Sequence, residues 1–287
     1  MQPQALAGSN RLGMTPGPFA GKVVWITGAS SGIGRSLALA FAAAGARLIL
    51  SGRQSHALAD VARKCSPAEV ALVPFDLIDL DAIPARVAEA LTHFGGVDIM
   101  IHNAGLAMRD RIVNTSREVH ERILHINYLG PALLTQALLP SMLERGGGQF
   151  VVISSSLGKF GGPLLAAYSA AKHALHGFFE SLRAEEHDRG IVVTIVVPGF
   201  VKTDITAHAL TGSGGSFGRV LPIYDDAMSA DECAHRMLPA VARHQQEVLI
   251  GGLDIWMVHL KRWLPQLLAL VMRSHPVKLR ARLLAWI

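Results

Sequence analysis

At 287 residues, half of them hydrophobic and only 17% charged, the chain can build one large core, which excludes global disorder. The formal net charge is +5, but Lys261, Arg262, Arg273, Lys278, Arg280 and Arg282 all lie in an acid-free tail, so the body of the chain is close to neutral. With no basic face or recognised binding motif in that body, nucleic acid is not an expected partner.

The first twenty residues are punctuated by Gly8, Gly13, Pro16, Gly17 and Pro18 and lack the charged start and apolar run of a signal peptide. They read as a flexible leader over 1–20, before a main domain over 21–252 and a tail over 253–287. Lys22 to Thr27 is a short apolar strand that runs into Gly28-Ala29-Ser30-Ser31-Gly32-Ile33-Gly34, and a helical pattern follows through Ala44. Strand, glycine turn and helix make the layout of a phosphate-binding βα unit: glycines let the backbone approach, and the helix N-terminus offers free N–H groups and a positive dipole end. The Gly-x-x-x-Gly-x-Gly spacing is not the commoner Gly-x-Gly-x-x-Gly fingerprint, and any tight turn uses glycines. The next strand, Arg47 to Leu50, ends in Ser51-Gly52-Arg53. A fold that binds NAD usually places an acid here for the ribose 2′-hydroxyl. An arginine instead suits a 2′-phosphate, so NADP(H) is preferred over NAD(H) unless Arg53 is only a solvated loop residue.

The alternation continues. Val70 to Phe75 reads as a strand ending at Asp76-Leu77, and Ile78 to Phe94 as largely helical. Asp98 to His102 is a strand leading to Asn103-Ala104-Gly105. Ser116 to Leu143 holds a long helix carrying Asn127, bent near Pro131. Gln149 to Ser154 is a strand entering Ser154-Ser155-Ser156, Ala166 to Arg189 is a helix, and Ile191 to Val197 is a strand ending in Pro198-Gly199. Strands alternating with helices imply right-handed crossovers and an α/β fold: a single Rossmann-like, doubly wound parallel sheet flanked by helices, with a helical extension at the C-terminus. Ligands of such a sheet sit beyond the strand C-termini, where every one of these motifs falls.

On the helix from Ala166, Tyr168 and Lys172 are four residues apart, which stacks phenol and ammonium on one face. A positive neighbour favours the phenolate and would lower the Tyr168 pKa towards the range that general acid–base catalysis needs. An isolated pair of this kind is more often a plain exposed helix face; its company here decides otherwise.

With these motifs in this order, residues 20–250 resemble a short-chain dehydrogenase/reductase. Thr27 to Gly34 is similar to that family's TGxxxGxG cofactor motif. Asn103-Ala104-Gly105 resembles its NNAG motif with His102 in place of the first Asn. Ser155 stands 13 residues before Tyr168, the family's spacing for its catalytic serine, with Ser154 and Ser156 as the adjacent alternatives. Pro198-Gly199-Phe200-Val201-Lys202-Thr203 resembles the PGxVxT segment. The resemblance implies a catalytic set of Asn127, Ser155, Tyr168 and Lys172. Tyr168 would exchange a proton with a carbonyl or alcohol oxygen, and Lys172 would depress its pKa and bind the nicotinamide ribose. Ser155 would bond the substrate oxygen, and Asn127 would hold a water in a relay to Lys172. The implied cofactor contacts are Gly28, Ser30, Ser31, Gly32, Ile33, Gly34, Arg53, Asp76, Leu77, Asn103, Ala104, Gly105, Tyr168, Lys172, Pro198, Gly199, Val201 and Thr203.

Beyond Thr203 the pattern turns irregular to Met228, with Gly212, Gly214, Gly215 and Gly218, and reads as a substrate lid (about 203–228) or a surface excursion. Ser229-Ala230-Asp231-Glu232 has the form of a capping box and starts a helix to about Arg243; Glu247 to Ile250 reads as the last strand. The tail from Ile255 mixes Trp256, Leu260, Trp263, Leu264, Leu267, Leu268 and Leu270 with its cations. No apolar run there approaches the ~20 residues that span a bilayer, but the mixture suits a helix in the interface of an anionic membrane. Covering the substrate cleft and packing in an oligomer are the competing readings. Tail and loop together look like the branch near the 11β-hydroxysteroid dehydrogenases and the dehydrogenase/reductase member 7 proteins. That likeness implies a lipophilic ketone or alcohol substrate and a homo-oligomer. The anchor common at the start of those relatives is missing from the first twenty residues, so a cytoplasmic protein, free or peripherally membrane-bound, is expected. The competing functional class is an NAD(P)-binding protein with weak catalysis that works at a membrane or partner. Cys65 and Cys233 fit no pairing or metal pattern and read as free thiols. The thirteen histidines match no metal template: His173 and His176 are three apart with no acidic or cysteine partner recognised, so no metal is expected.

Overall fold

A computed structural model describes residues 17–273. Its strands are β1 (Val23–Thr27), β2 (Arg47–Ser51), β3 (Val70–Leu72), β4 (Ile99–His102), β5 (Gly148–Ile153), β6 (Ile191–Pro198), β7 (Val201–Lys202), β8 (Met228–Ser229) and β9 (Glu247–Ile250). Its helices are α1 (Gly32–Ala43), α2 (Ser55–Lys64), α3 (Ile83–Leu91), α4 (Arg117–Leu124), α5 (Gly130–Glu144), α6 (Ala166–Glu186), α7 (Ala230–Ala242), α8 (Trp256–Trp263) and α9 (Pro265–Arg273). Seven strands pair in the order β3-β2-β1-β4-β5-β6-β9, every pair parallel. The fold is the expected Rossmann-like sheet.

Side-chain alternation along the strands divides the core in two. Val24 and Ile26 of β1 face α1 and α7, meeting Leu37, Phe41 and Met237, while Val23 and Trp25 face α5 and α6, meeting Leu134, Leu138 and Phe179. Because both faces are covered, β1 is buried at every position and reads as a continuous apolar run instead of an alternating one. Each such side chain contributes about 1.5–3 kcal/mol relative to exposure. A polar handle in this layer, the Trp25 indole N–H, donates to Ser51 Oγ at 2.8 Å.

Four expectations need correction. Of the leader, residues 17–20 are not loose: they form a turn that buries Phe19 edge-on against Phe41, centroids 4.8 Å apart, because a phenylalanine just ahead of interior strand β1 gains more from that contact than from water. Residues 1–16 lie outside the described chain. β3 stops at Leu72 instead of Phe75, although Val73 and Phe75 still donate to Leu50 and Gly52; Pro74 between them faces the open edge of the sheet, where a missing N–H breaks no ladder bond. The helix expected from Ile78 begins only at Ile83, with Pro84 in its first turn, where a proline costs no hydrogen bond. The long helix around Asn127 is not one helix bent at Pro131. It is α4, then a π turn over His125–Leu129, then α5, with Pro131 in the first turn of α5. The Ser229 cap forms as expected, its Oγ accepting from Glu232 N at 3.1 Å.

Candidate active site

The C-terminal ends of β1, β2, β4, β5 and β6 open into one cavity of about 1190 Å³. The glycine turn forms its floor. Gly28 and Gly32 have φ of +65° and +51°, values that a side chain resists, and a Cβ at Gly28 would lie 2.8 Å from Ala104 Cα. Gly34 is behind the wall: a Cβ there would sit 2.2 Å from Gly28 O, so its absence lets α1 close onto the turn. Ser31 enters α1 with an extended backbone, makes no side-chain cap, and no acid stands in the first turn. The first N–H groups of α1 therefore have no side-chain acceptor, and the residues around them, Ser30, Ser31, Gly32 and Ile33, line the cavity. Exposed Arg53 lines the same end, and no acidic residue lies between Ser51 and Ser55. Asp76 and Leu77 line it from beyond β3.

Thr27, which stands in the glycine motif but not among the expected cofactor contacts, ties two loops together. Its hydroxyl accepts from Asn103 N and Ala104 N at 3.1 and 3.2 Å, while Asn103 Nδ2 donates to the Thr27 and Gly28 carbonyls at 2.9 and 3.2 Å. His102, at the position of the family's first Asn, turns into the core instead. It bonds Thr135 Oγ1 at 2.8 Å, stacks near Phe150 and Phe179, and burial lowers its pKa to about 3. Asn127 is fully buried off the cavity wall. Its Nδ2 donates to Leu106 O and Ile123 O at 2.8 and 2.9 Å, and its Oδ1 accepts from Leu106 N at 3.2 Å. The π turn aims this amide at the loop after β4, a local widening often found at functional sites. Gly105 lies between Asn127 Oδ1 and Lys172 Nζ: a Cβ on it would be 2.9 and 3.7 Å from the two.

Ser155, Tyr168 and Lys172 share the cavity's centre. The three serines of the stretch separate by where they point. Ser154 bonds His176 Nε2 at 2.9 Å, whereas Ser155 hydrogen-bonds the Tyr168 phenol and Ser156 makes neither bond. Lys172 Nζ stands 5.7 Å from the centre of the Tyr168 ring and donates to Ile153 O at 2.9 Å. The titration of the pair departs from the sequence expectation. Burial pushes the Tyr168 phenol up, the nearby Tyr224 adds to that, and only the Ser155 bond acts downward. Burial also holds the Lys172 ammonium down at about 8, because both groups sit where little water reaches their charged forms.

The remaining walls had little local signature. Pro198, Gly199, Val201 and Thr203 arrive as expected from the end of β6, with a Thr203 methyl 3.1 Å from where a Gly32 Cβ would be. Asp254 braces this loop, accepting from Phe200 N at 2.5 Å and Gly252 N at 3.0 Å. The irregular stretch forms a wall, its two ends held together by the parallel pairing of β7 with β8. Tyr224 from this stretch packs edge-on against Phe200, centroids 5.3 Å apart, and Arg109 lies over Phe217. Met257 and Met272, from α8 and α9, complete the rim.

The family described as short chain dehydrogenase matches residues 22–213. A dehydrogenase/reductase SDR family protein 7-like of Drosophila melanogaster is 40% identical over 266 residues, covering 90% of this chain and 82% of its own length. The dehydrogenase/reductase SDR family member 7B of Mus musculus is also 40% identical, over 265 residues with the same coverages. Among solved structures, a short-chain dehydrogenase/reductase from Burkholderia phymatum in complex with NAD superposes with a TM-score of 0.78 at 24% identity, over 87% of this chain and 96% of that one. A short-chain dehydrogenase from Sphingobium yanoikuyae in complex with NADPH gives 0.69 at 29% identity, over 79% and 87%.

Proposed function

This chain belongs to the short-chain dehydrogenase/reductase family of oxidoreductases, and we propose that within it the protein is an NADP-dependent reductase of lipophilic ketones, or the dehydrogenase of the corresponding alcohols. The observation that carries the reading is one cavity joining the glycine turn and Arg53 at one end to Ser155, Tyr168 and Lys172 in its centre. The cradle fits a dinucleotide. Cβ-free Gly28 and Gly32 leave room for close approach, and the uncapped N-terminus of α1 suits a pyrophosphate. Arg53, with no acid beside it, favours a 2′-phosphate. The bound nicotinamide supplies or accepts the hydride.

The protein's residues manage the proton and the oxygen. Tyr168, kept protonated by burial, is suited to donate its phenolic proton to a carbonyl oxygen as charge develops there. Ser155, already bonded to that phenol, supplies a second donor to the same oxygen. Lys172 brings positive charge beside the phenol when Tyr168 gives up its proton. Asn127 acts as a positioning residue, fixing the Leu106 backbone through both ends of its amide. The fittings for the rest of the substrate are largely apolar: Leu157, Phe160, Ile205, Phe217 and the two tail methionines line that part of the cavity.

The tail supports a role at a lipid surface. Trp256, Trp263, Leu264, Leu267 and Leu270 are exposed on α8 and α9 beside Lys261, Arg262 and Arg273, and the same helices reach the cavity rim. The tail thus combines two readings left open by its sequence: cleft cover on one side, lipid-facing surface on the other. Among the described residues no helix is long and apolar enough to cross a membrane. Lys278, Arg280 and Arg282 lie outside them.

The test is NADPH oxidation over ketones graded from small diketones to steroids and keto-lipids. Turnover should rise with substrate apolarity and fall by about 100-fold or more in Tyr168→Phe. Undiminished turnover in the variant removes Tyr168 from the chemistry.

A further inference from the structure

Behind the serine segment, on the side away from the cavity, α6 and β9 bring together a group that the reaction does not use. His176 and Glu180 are one helical turn apart on α6, and Glu247 is the first residue of β9. His176 Nδ1 lies 3.7 Å from Glu180 Oε1 and 3.8 Å from Glu247 Oε2, and one donor atom from each of the three residues falls within 4.8 Å of the others. His176 is only 7% exposed, its Nε2 is committed to Ser154 Oγ at 2.9 Å, and its Nδ1 has no hydrogen-bond partner. Gly158 makes the Ser154–His176 bond possible, since a Cβ there would lie 2.5 Å from Ser154 Oγ.

A buried ring nitrogen with no partner, aimed between two carboxylates, calls for a positive charge. Lys159 does not supply it, because its ammonium pairs with Glu247 and leaves Nδ1 unbonded. A neutral imidazole whose other nitrogen is fixed by a hydroxyl is, however, a prepared metal ligand. Donors on a tetrahedral zinc stand about 3.3–3.5 Å apart. The Nδ1 separations are slightly longer, and Glu180 and Glu247, with side chains 52% and 36% exposed, are free to rotate inward. The sequence reading found no acidic partner for His176; Glu180, four residues on, is one.

We propose that His176, Glu180 and Glu247 bind a divalent transition-metal ion of the zinc class, with Lys159 as the cation that must leave Glu247 for the ion to enter. The mixed imidazole and carboxylate set suits Zn²⁺, with water in the fourth position. Through the His176–Ser154 bond the ion would fix the serine segment one residue from Ser155, so its effect on the reaction is one of positioning.

The experiment is a calorimetric titration of the chelator-stripped full-length protein with ZnCl₂, repeated with CoCl₂ while following the visible absorption of the bound ion. The expected result is one saturable ion per chain. Glu180→Gln, at an exposed site that leaves folding intact, should weaken it by roughly tenfold or more. Lys159→Met should tighten binding several-fold, a gain that loss of a merely structural ion pair would not produce. His176→Gln should abolish the cobalt spectrum. No saturable binding overturns the proposal, as does stoichiometric binding unchanged in Glu180→Gln, or weaker binding in Lys159→Met.

Discussion

Replacing Lys172 by methionine should make the ligand-free protein more stable at neutral pH while disabling it as a catalyst. Lys172 is 4% exposed, and its pKa falls from 10.5 to about 8 on folding. At pH 7 the folded chain therefore carries a buried ammonium, at a cost of about 3 kcal/mol. Methionine has a similar length and no charge. The substitution also removes the bond to Ile153 O and leaves that carbonyl unpaired, a loss of about 1 kcal/mol. The net expectation is a variant about 2 kcal/mol more stable at pH 7. The sign has a second consequence. Because the folded pKa is the lower one, the unfolded chain binds more protons between pH 8 and 10.5, and the wild type gains stability as pH rises through that window. The gap between the two proteins should therefore close almost completely from pH 7 to pH 10. Urea unfolding of both proteins without cofactor, at pH 7, 8.5 and 10, measures it. A methionine variant less stable at pH 7, or a gap that does not change with pH, would refute the claim that Lys172 is held charged against burial.

Three further outcomes are expected. Arg53→Ala should weaken NADPH binding by roughly 10- to 100-fold, the worth of a charge-assisted bond, and leave NADH binding unchanged; equal losses for both would show that Arg53 does not read a 2′-phosphate. His102, whose folded pKa of about 3 lies below the ordinary 6.5, stabilises the fold above pH 6.5 and loses that contribution as pH falls towards 3. At pH 5 the loss is about 2 kcal/mol, so His102→Asn should flatten the acid limb of an unfolding curve by that amount, and an unchanged limb would contradict it. The double substitution of Trp263 and Leu267, both exposed, by serine should abolish co-flotation with vesicles containing anionic lipid without lowering the melting temperature; absence of flotation by the wild type would remove the membrane role.

How far the sequence could be read depended on how local each feature is. The glycine turn, Ser155 and the Tyr168–Lys172 pair were legible because each is a short motif on a single element or the junction of two. The π turn at Asn127 was not, since its apolar pattern runs unbroken through an ordinary helix and only the backbone bond from Gly130 to His125 betrays the extra residue. Tyr224 and Asp254 reach the cavity from irregular segments, which leave no period to find, and Met257 and Met272 reach it through the tertiary docking of α8 and α9, which no local pattern announces. The Tyr168 titration was misjudged for a related reason. Spacing along a helix reveals a charge nearby, but the depth at which both groups are buried depends on the lid and tail above them. The His176 cluster was half visible: Glu180 follows by helical spacing, whereas Glu247 comes alongside only through the register that sets Ile195 opposite it.

The short parallel pairing of β7 with β8 makes the wall between them an exchangeable cassette. Val201 and Lys202 pair with Met228 and Ser229, so the ends of that segment are joined by the scaffold. Doubling the length of such a closed loop costs only about 0.6 kcal/mol. Segments of different length can therefore be joined at these two anchor points to reshape what the enzyme accepts, but a graft has to refill the contact that Ala209 and Leu210 make with Tyr168 and Ala171 and keep Thr203 against Gly32.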